Sequence, residues 1–430
     1  MNYKRKKSIP LRLLLFGCAF LAWTPAKAEQ AVSLLADNYS LADLLDLAHK
    51  NAQILSAQDA RADASRLAAS QTRMWSGMTV GFSGGKKKVG GLSGSRSEWT
   101  FDQPLPLLGK PGVQGNIFEI ESESWRGRRE ATRIAIAFDV LRFAYDYAVN
   151  RRKTDFAENR QRRFDLIQDF LSGRSFPTPQ RKAESRIVQN RLKGLAAEAI
   201  QSQARAGSAL ENLRIFIPFA AGARPVIDLP WFTGKKPLDP MEWTAKASDK
   251  NPDLHLQRLA VKSADLEGKL ASKEGWPDPG LAASFEEAKA GETEKIYGLG
   301  MTLAFPSWNA NRSGYRSAES KKRAEEMQLA FQEQKLKADI QRLLVEYEAA
   351  RRIVLEYPEA VLSEMETQIQ EAEAGFRKGQ LDLLTFLELD GSVSDTFNRV
   401  LDAQADFAAR VADLLAATGE SDVLEKLGSF

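Results

Sequence analysis

The side chains that most often carry chemistry are scarce in this sequence and poorly spaced for it. Histidine occurs only as His49 and His255, each isolated in a helical pattern, and cysteine only as Cys18. Zinc and copper centres need clustered imidazoles or thiolates, and no His-Glu-x-x-His is present. The Gly-Lys pairs at Gly85, Gly109, Gly234 and Gly268 are followed by Lys, Pro, Lys and Leu, so none continues into the Ser or Thr of a phosphate-binding loop. Gly-x-Ser-x-Gly is absent as well. Carboxylates are numerous but recur at helical spacing, as on a solvated face. The expectation is a non-enzyme with no catalytic residue, no metal site and no cofactor.

Address and charge narrow the class. Lys4, Arg5, Lys6 and Lys7 precede a mostly apolar run at 11–23, and Ala26-Lys27-Ala28 fits a signal-peptidase site, so residues 1–28 read as a cleavable signal peptide. Two other readings stand beside it: an uncleaved N-terminal anchor, and a lipoprotein box at Leu15-Phe16-Gly17-Cys18 that would lipidate Cys18. Cleavage after Ala28 leaves no cysteine, which excludes disulfide and thiolate chemistry. It also removes six basic and no acidic residues from a total of 60 and 57, leaving 54 against 57. The basic balance is thus a property of the leader, and no nucleic-acid partner is expected. Beyond it no run approaches 18 apolar residues, so no transmembrane helix is expected.

The elements that must position any site come from a duplication. At an offset of 200, Lys50-Asn51, Pro106, Glu119, Asp139, Tyr147 and Arg151-Arg152 match Lys250-Asn251, Pro306, Glu319, Asp339, Tyr347 and Arg351-Arg352. Each copy reads helix, strand, polar loop, strand, proline exit, long helix, glycine turn, helix. The expected domains are residues 29–217 and 241–418, a connector at 218–240 and a tail at 419–430. In the first copy a helix is expected over 40–74 with Ser40 as N-cap. Strands follow near 78–83 and 95–105, with Val80, Phe82, Trp99 and Phe101 on one face at period two. In the second, Leu281, Ala283 and Phe285, then Tyr297, Leu299, Met301, Leu303 and Phe305, alternate with small or polar residues.

Long helices give the strongest pattern. Leu336, Ile340, Leu343, Tyr347, Ala350, Val354 and Tyr357 repeat at 4-3-4-3-4-3, and Ile134, Phe138, Leu141, Tyr145 and Ala148 follow the same spacing. A 3.5-residue seam packs helices in coiled-coil fashion. Residues 112–172 and 312–374 are expected to be such helices, the second kinked at Pro358. Each is about as long as the two shorter helices of its copy laid end to end, which predicts an elongated bundle. Five prolines between 218 and 240 read as a surface connector.

Four strands cannot close a membrane barrel, since the smallest has about eight, and an open sheet in hydrocarbon leaves unpaired edges. If the strands span a membrane, several chains must share one barrel. Trp75, Trp276 and Trp308 then lie at the helix-proximal strand ends, with Pro106 and Pro306 at the exits, where an interfacial belt would sit. Ordinary core packing is the other reading of these tryptophans.

The duplicated halves, the exits Pro104-Leu105-Pro106-Leu107-Leu108-Gly109-Lys110 and Leu303-Ala304-Phe305-Pro306-Ser307-Trp308-Asn309, and the segment at 376–390 together resemble the TolC-like outer-membrane efflux family, and the first exit is similar to its heavy-metal branch. The resemblance covers nearly all of the mature sequence. It implies a mainly α fold with a membrane β portion: a trimer whose four strands per chain close a 12-stranded barrel above a helical tunnel. It implies a passive conduit in the outer membrane with a large periplasmic portion. The implied partners are a homotrimer, a periplasmic adaptor, an inner-membrane pump of the RND type, and outer-membrane lipid. The exported cargo, small molecules or metal cations, is not legible. Two alternatives remain: the outer-membrane factor of a type I protein secretion system, and a soluble periplasmic coiled-coil or adaptor protein.

Within 376–390, Gly379 ends one helix and Asp382 can cap the next. The resemblance places Gly379, Leu381, Asp382 and Leu383, with Gly173 in the first copy, at an adaptor-docking tip. It places Thr385 and Glu388 at the tunnel's narrowest part, where three copies of Glu388 would form an acidic ring. A solvated carboxylate is the plainer reading of Glu388. The first copy departs from the pattern through Pro177 and Pro179. Lys86, Lys87 and Lys88 read as a loop pointing outward, toward anionic lipopolysaccharide or simply into solvent.

Overall fold

Ser40 opens the first helix as a reciprocal cap. Its hydroxyl accepts from Asp43 N–H at 3.2 Å while the Asp43 carboxylate accepts from Ser40 N–H at 3.0 Å. The structure, a computed structural model, is described over residues 38–74, 76–106, 108–172, 178–220, 222–304, 310–420, 427 and 430. The expected signal peptide, with Cys18, and Trp75, Gly173, Pro177, Pro306 and Trp308 lie outside the described residues. A short strand β1 (Asn38–Ser40) leads into α1 (Leu41–Asn51) and α2 (Gln53–Arg73). The single helix expected over 40–74 is therefore two. The second half repeats the break between α5 (Pro240–Lys250) and α6 (Pro252–Glu274). There the cause is local. Pro252 lacks an N–H, and the buried Asn251 side chain caps α6 by accepting from Leu254 N–H at 2.9 Å. Ala52 carries no such signal.

Between these short helices and the long ones lie the strands. β2 (Thr79–Val89) and β3 (Leu92–Pro104) form a hairpin, as do β5 (Asp278–Ala290) and β6 (Glu292–Ala304). They pair antiparallel in the order β2-β3-β5-β6. The first hairpin is longer than expected: residues 84–89, read as loop, stay paired with β3 until the turn at Gly90 and Gly91, with φ of 53° and 85°. Positive φ is open to glycine without a Cβ clash. No apolar alternation marks those residues, so only the ladder reveals them.

The expected long helices form. α3 (Lys110–Ser172) runs 63 residues, roughly 95 Å at 1.5 Å per residue. α2 lies along its sheet-proximal part, where Arg73 meets Glu119 and Asp59 meets Arg129. α4 (Pro179–Arg214) lies along its far part, where Gln168 meets Ser185 at 3.0 Å. In the second half Pro358 breaks rather than kinks the rod, separating α7 (Ala310–Glu356) from α8 (Ala360–Arg377), and α9 (Leu383–Thr418) returns. The seam is as the spacing predicts: Ile340, Leu343, Tyr347, Ala350 and Val354 are all buried. In α9 the same 3-4 repeat runs from Leu383 through Phe386, Asp390, Val393, Phe397 and Val400 to Gln404, all buried.

The main core lies mid-rod, where α1, α3, α5, α7 and α9 converge on the connector. Here the structure corrects the expectation of a surface loop. Its strand β4 (Val226–Asp228) pairs parallel with β1, and Phe232, 2% exposed, stacks on Tyr145 and meets Phe407 edge-on. Prolines remove donors from the strap, and its carbonyls need partners of their own. The duplicated side chains supply them. Tyr147 Oη donates to Pro225 O and Arg151 Nη1 to Arg224 O, and 200 positions on Tyr347 Oη donates to Lys236 O and Arg351 Nη1 to Gly234 O, all at 2.8 to 3.1 Å. Glu348, held down to about 2 by its bonds to Arg351 and Arg352, keeps the second arginine in place. Gln404 closes the strap by accepting from Phe232 N–H and donating to Phe232 O.

Truncating Phe232 to Ala is expected to lower stability by about 3–5 kcal/mol, measured by thermal or denaturant unfolding of the purified protein. A change near zero would mean the strap is not part of the core.

Candidate functional site

Two regions of the rod carry features that its internal packing does not use, one at each end. At the sheet end, the register aligns side chains in rows across all four strands. Phe82 pairs with Trp99, Trp99 with Phe285 and Phe285 with Tyr297. The neighbouring row is Val80, Phe101, Ala283 and Leu299, and Leu281 faces Met301 below it. This face has nothing packed on it: Leu299 is 93% exposed, Tyr297 75% and Phe82 62%. A bare apolar surface of this extent marks a surface destined for another apolar phase or partner. The opposite face carries Gly81, Thr100, Ser284 and Gly298 in one row and Ser83, Glu98, Glu286 and Ile296 in the next.

The edges complete the description. β2 and β6 each have one neighbour, so each leaves a row of backbone groups unpaired within the chain. Strands of 11 to 13 residues match the roughly 9–11 that cross a hydrocarbon core when tilted. Among the described residues no helix is long and apolar enough to cross a membrane, and no group of His, Cys, Asp and Glu is placed to hold a metal ion. Pro106 ends the first hairpin, just after Leu105 N–H adds a last bond to Pro279 O at 2.8 Å. Trp276 stands 65% exposed before β5, its carbonyl accepting from Lys110 Nζ.

At the other end, α8 stops at Lys378 and Gly379 takes a φ of 72°, open to glycine at no steric cost. Gln380 N–H donates back to Gly375 O at 2.9 Å. Leu381 folds over Gly375 so closely that a Cβ there would lie 2.9 Å from its side chain. Asp382 then caps α9, accepting from Thr385 N–H at 2.7 Å, and that bond holds its carboxyl below the usual carboxylate range. Leu383 and Phe386 turn inward onto Phe164, Ile167 and Phe376. Thr385 and Glu388 stand exposed on the other side of the helix, beside Leu384 at 64% exposure. Of the sequence-derived tip residues, Gly379 and Asp382 shape the turn, Leu381 and Leu383 pack it, and Thr385 and Glu388 face out.

One site was not found from the sequence. Arg160 of α3 and Asp390 of α9, 1% and 3% exposed, form a bidentate ion pair, Nε to Oδ1 at 3.0 Å and Nη2 to Oδ2. Arg160 Nη1 also donates to Ser394 Oγ at 2.6 Å and reaches Glu198 of α4, while Arg191 of α4 reaches Asp390. Three helices just behind the tip are thereby fixed together. The available signal was Asp390 itself, a charge standing in the buried seam of α9. His49, by contrast, is a polar helix residue: its ring Nε2 lies 3.3 Å from Arg133 O, and burial pushes its pKa down.

The geometry is that of a helical rod bearing a small sheet with two open edges and one bare apolar face. Residues 243–420 match the model of the outer membrane efflux protein family. The chain is similar in structure to a membrane protein from Pseudomonas aeruginosa, at a TM-score of 0.70 and 16% identity, covering 88% of this chain and 92% of that one. It is similar to CusC at 0.70 and 13%, covering 91% and 95%, and to the outer membrane protein VceC of Vibrio cholerae at 0.66 and 14%, covering 88% and 96%. No curated protein sequence matches it. The mainly helical fold with a small sheet is shared with these membrane proteins, as the resemblance implied.

Arg160→Met or Asp390→Leu alone is expected to cost about 3–5 kcal/mol, because each strands a buried charge, whereas the double variant is expected to recover most of that loss. Thermal unfolding of the four proteins of this cycle checks it. Single variants as stable as the wild type would show that the pair anchors nothing.

Proposed function

We propose that the protein is the outer-membrane channel of a tripartite efflux system, a passive trimeric conduit from the periplasm to the exterior. The observation that carries this reading is the four-stranded sheet with both edges free and one face bare and apolar. In hydrocarbon an open edge is intolerable, and three copies joining β6 to β2 remove every edge by closing twelve strands. The bare face then meets lipid and the polar face lines the pore. Residues 1–28 serve as the export signal, 29–217 and 241–418 are the two channel repeats, and 218–240 straps them together.

In this reading the helices span the periplasm and the tip around Gly379, Leu381, Asp382, Leu383 and Gly173 docks a periplasmic adaptor coupled to an RND-type inner-membrane pump. Glu388 and Thr385, exposed on one helix face, are the constriction, with three carboxylates favouring cations. Trp276 and Pro106, with Trp75, Pro306 and Trp308, mark the periplasmic boundary of the membrane. The cargo is small molecules or metal cations. Energy is supplied by the pump.

Cell fractionation separates this conduit from a soluble periplasmic protein, because the conduit is expected only in the detergent-extracted outer membrane. Recovery in the soluble fraction without detergent defeats it. In planar bilayers Glu388→Ala is expected to reduce cation preference, read as a shift in reversal potential under a salt gradient. An unchanged potential removes Glu388 from the constriction.

A further inference from the structure

The sheet sorts its charges by face. Beyond the row Phe82, Trp99, Phe285 and Tyr297, the apolar face ends and the next positions on that side carry Lys86, Lys88, Lys289 and Lys295 against Glu287 alone. All four lysines are exposed, and none has an ion-pair partner among the described residues. The other face at the same height is the reverse. There Lys87 pairs with Glu294, and Arg96 is shared between Glu98 and Glu286. Successive residues of one strand, Lys86, Lys87 and Lys88, thus have opposite fates because their side chains alternate across the sheet.

A run of lysines explained by solubility alone has no reason to leave the basic groups of one face unpaired and pair those of the other. The free lysines also lie together past the aromatic row, Lys295 in the first same-face row beyond it, Lys86 and Lys289 in the second and Lys88 in the third. Rings at that level mark an interface between hydrocarbon and headgroups, and long lysine stems lie along apolar surface while the ammonium reaches into the headgroup layer. Serines fill the positions opposite, Ser95 facing Lys86 and Ser93 facing Lys88, so hydroxyl donors stand beside the ammoniums.

We propose that Lys86, Lys88, Lys289 and Lys295 form a collar that binds the phosphate groups of anionic lipid in the distal leaflet. The proposal rests on the outer-membrane reading. Joining β6 of one copy to β2 of the next would bring the strand of Lys295 beside the strand of Lys86 and Lys88, so the collar is continuous around the closed wall. Glu287 is the one carboxylate facing it, and it lies across from Lys295.

The test reconstitutes the purified full chain into phosphatidylcholine vesicles and into the same vesicles doped with bisphosphorylated lipid A. Each exposed basic residue held at an anionic surface contributes about fivefold in partition. The net three charges per chain therefore predict roughly a hundredfold preference for the doped vesicles, weakened by salt. The variant Lys86→Gln/Lys88→Gln/Lys289→Gln/Lys295→Gln is expected to incorporate but to lose that preference, whereas Lys87→Gln with Arg96→Gln on the other face keeps it. Equal incorporation of the wild type into both vesicles, or a preference retained by the quadruple variant, overturns the collar and leaves the conduit standing. Failure to incorporate into either vesicle overturns the outer-membrane reading itself.

Discussion

The structure depends on how a proline-rich strap is held inside the rod. Two long helices with narrow apolar seams cannot fix their own relative height, since a heptad seam repeats and tolerates slippage by a turn. The strap removes that freedom. Phe232 fills a single position between Tyr145 and Phe407, and Gln404 binds both backbone groups of that residue. Tyr147 with Arg151 and Tyr347 with Arg351 then anchor the strap on either side. The two halves are registered by hydrogen bonds that only one alignment satisfies.

With the middle fixed, the ends can be specialised. At the sheet, the side-chain period of two separates an apolar from a polar face without any helix covering either. That arrangement is unstable in water for an isolated chain and stable when lipid takes one face and neighbouring strands take the edges. The same alternation that makes the wall amphipathic also sorts Lys86 and Lys88 from Lys87.

At the tip, inward packing and outward exposure alternate over a few turns of helix. Leu383 and Phe386 anchor α9 inward while Thr385 and Glu388 stand exposed. The buried Arg160–Asp390 pair is behind them, joining α3, α4 and α9. Buried ion pairs contribute little net stability compared with apolar packing, but they penalise every misaligned arrangement. A charge at a seam position gives the tip a defined register, as Gln404 does further along the same helix.

Much of this was legible in the sequence because it is periodic. The seam from Ile340 to Val354, the alternation from Tyr297 to Leu303, the glycine stop at Gly379 and the Asp382 cap are local patterns, each fixed by helix or strand geometry acting on neighbouring residues. Residues whose partners lie far along the chain were not. The burial of Phe232 within a segment that reads as a loop and the pairing of Arg160 with a carboxylate 230 positions away depend on contacts between distant segments, while the extent of β2 past Gly84 carries no apolar alternation and shows only in its ladder with β3. The sequence by itself determined the rods, the strands and their apolar faces, since those follow from short-range sterics and hydrophobic period. Only the tertiary structure decided how the halves are strapped together and which charges are buried, because burial and pairing are properties of surfaces brought together by folding.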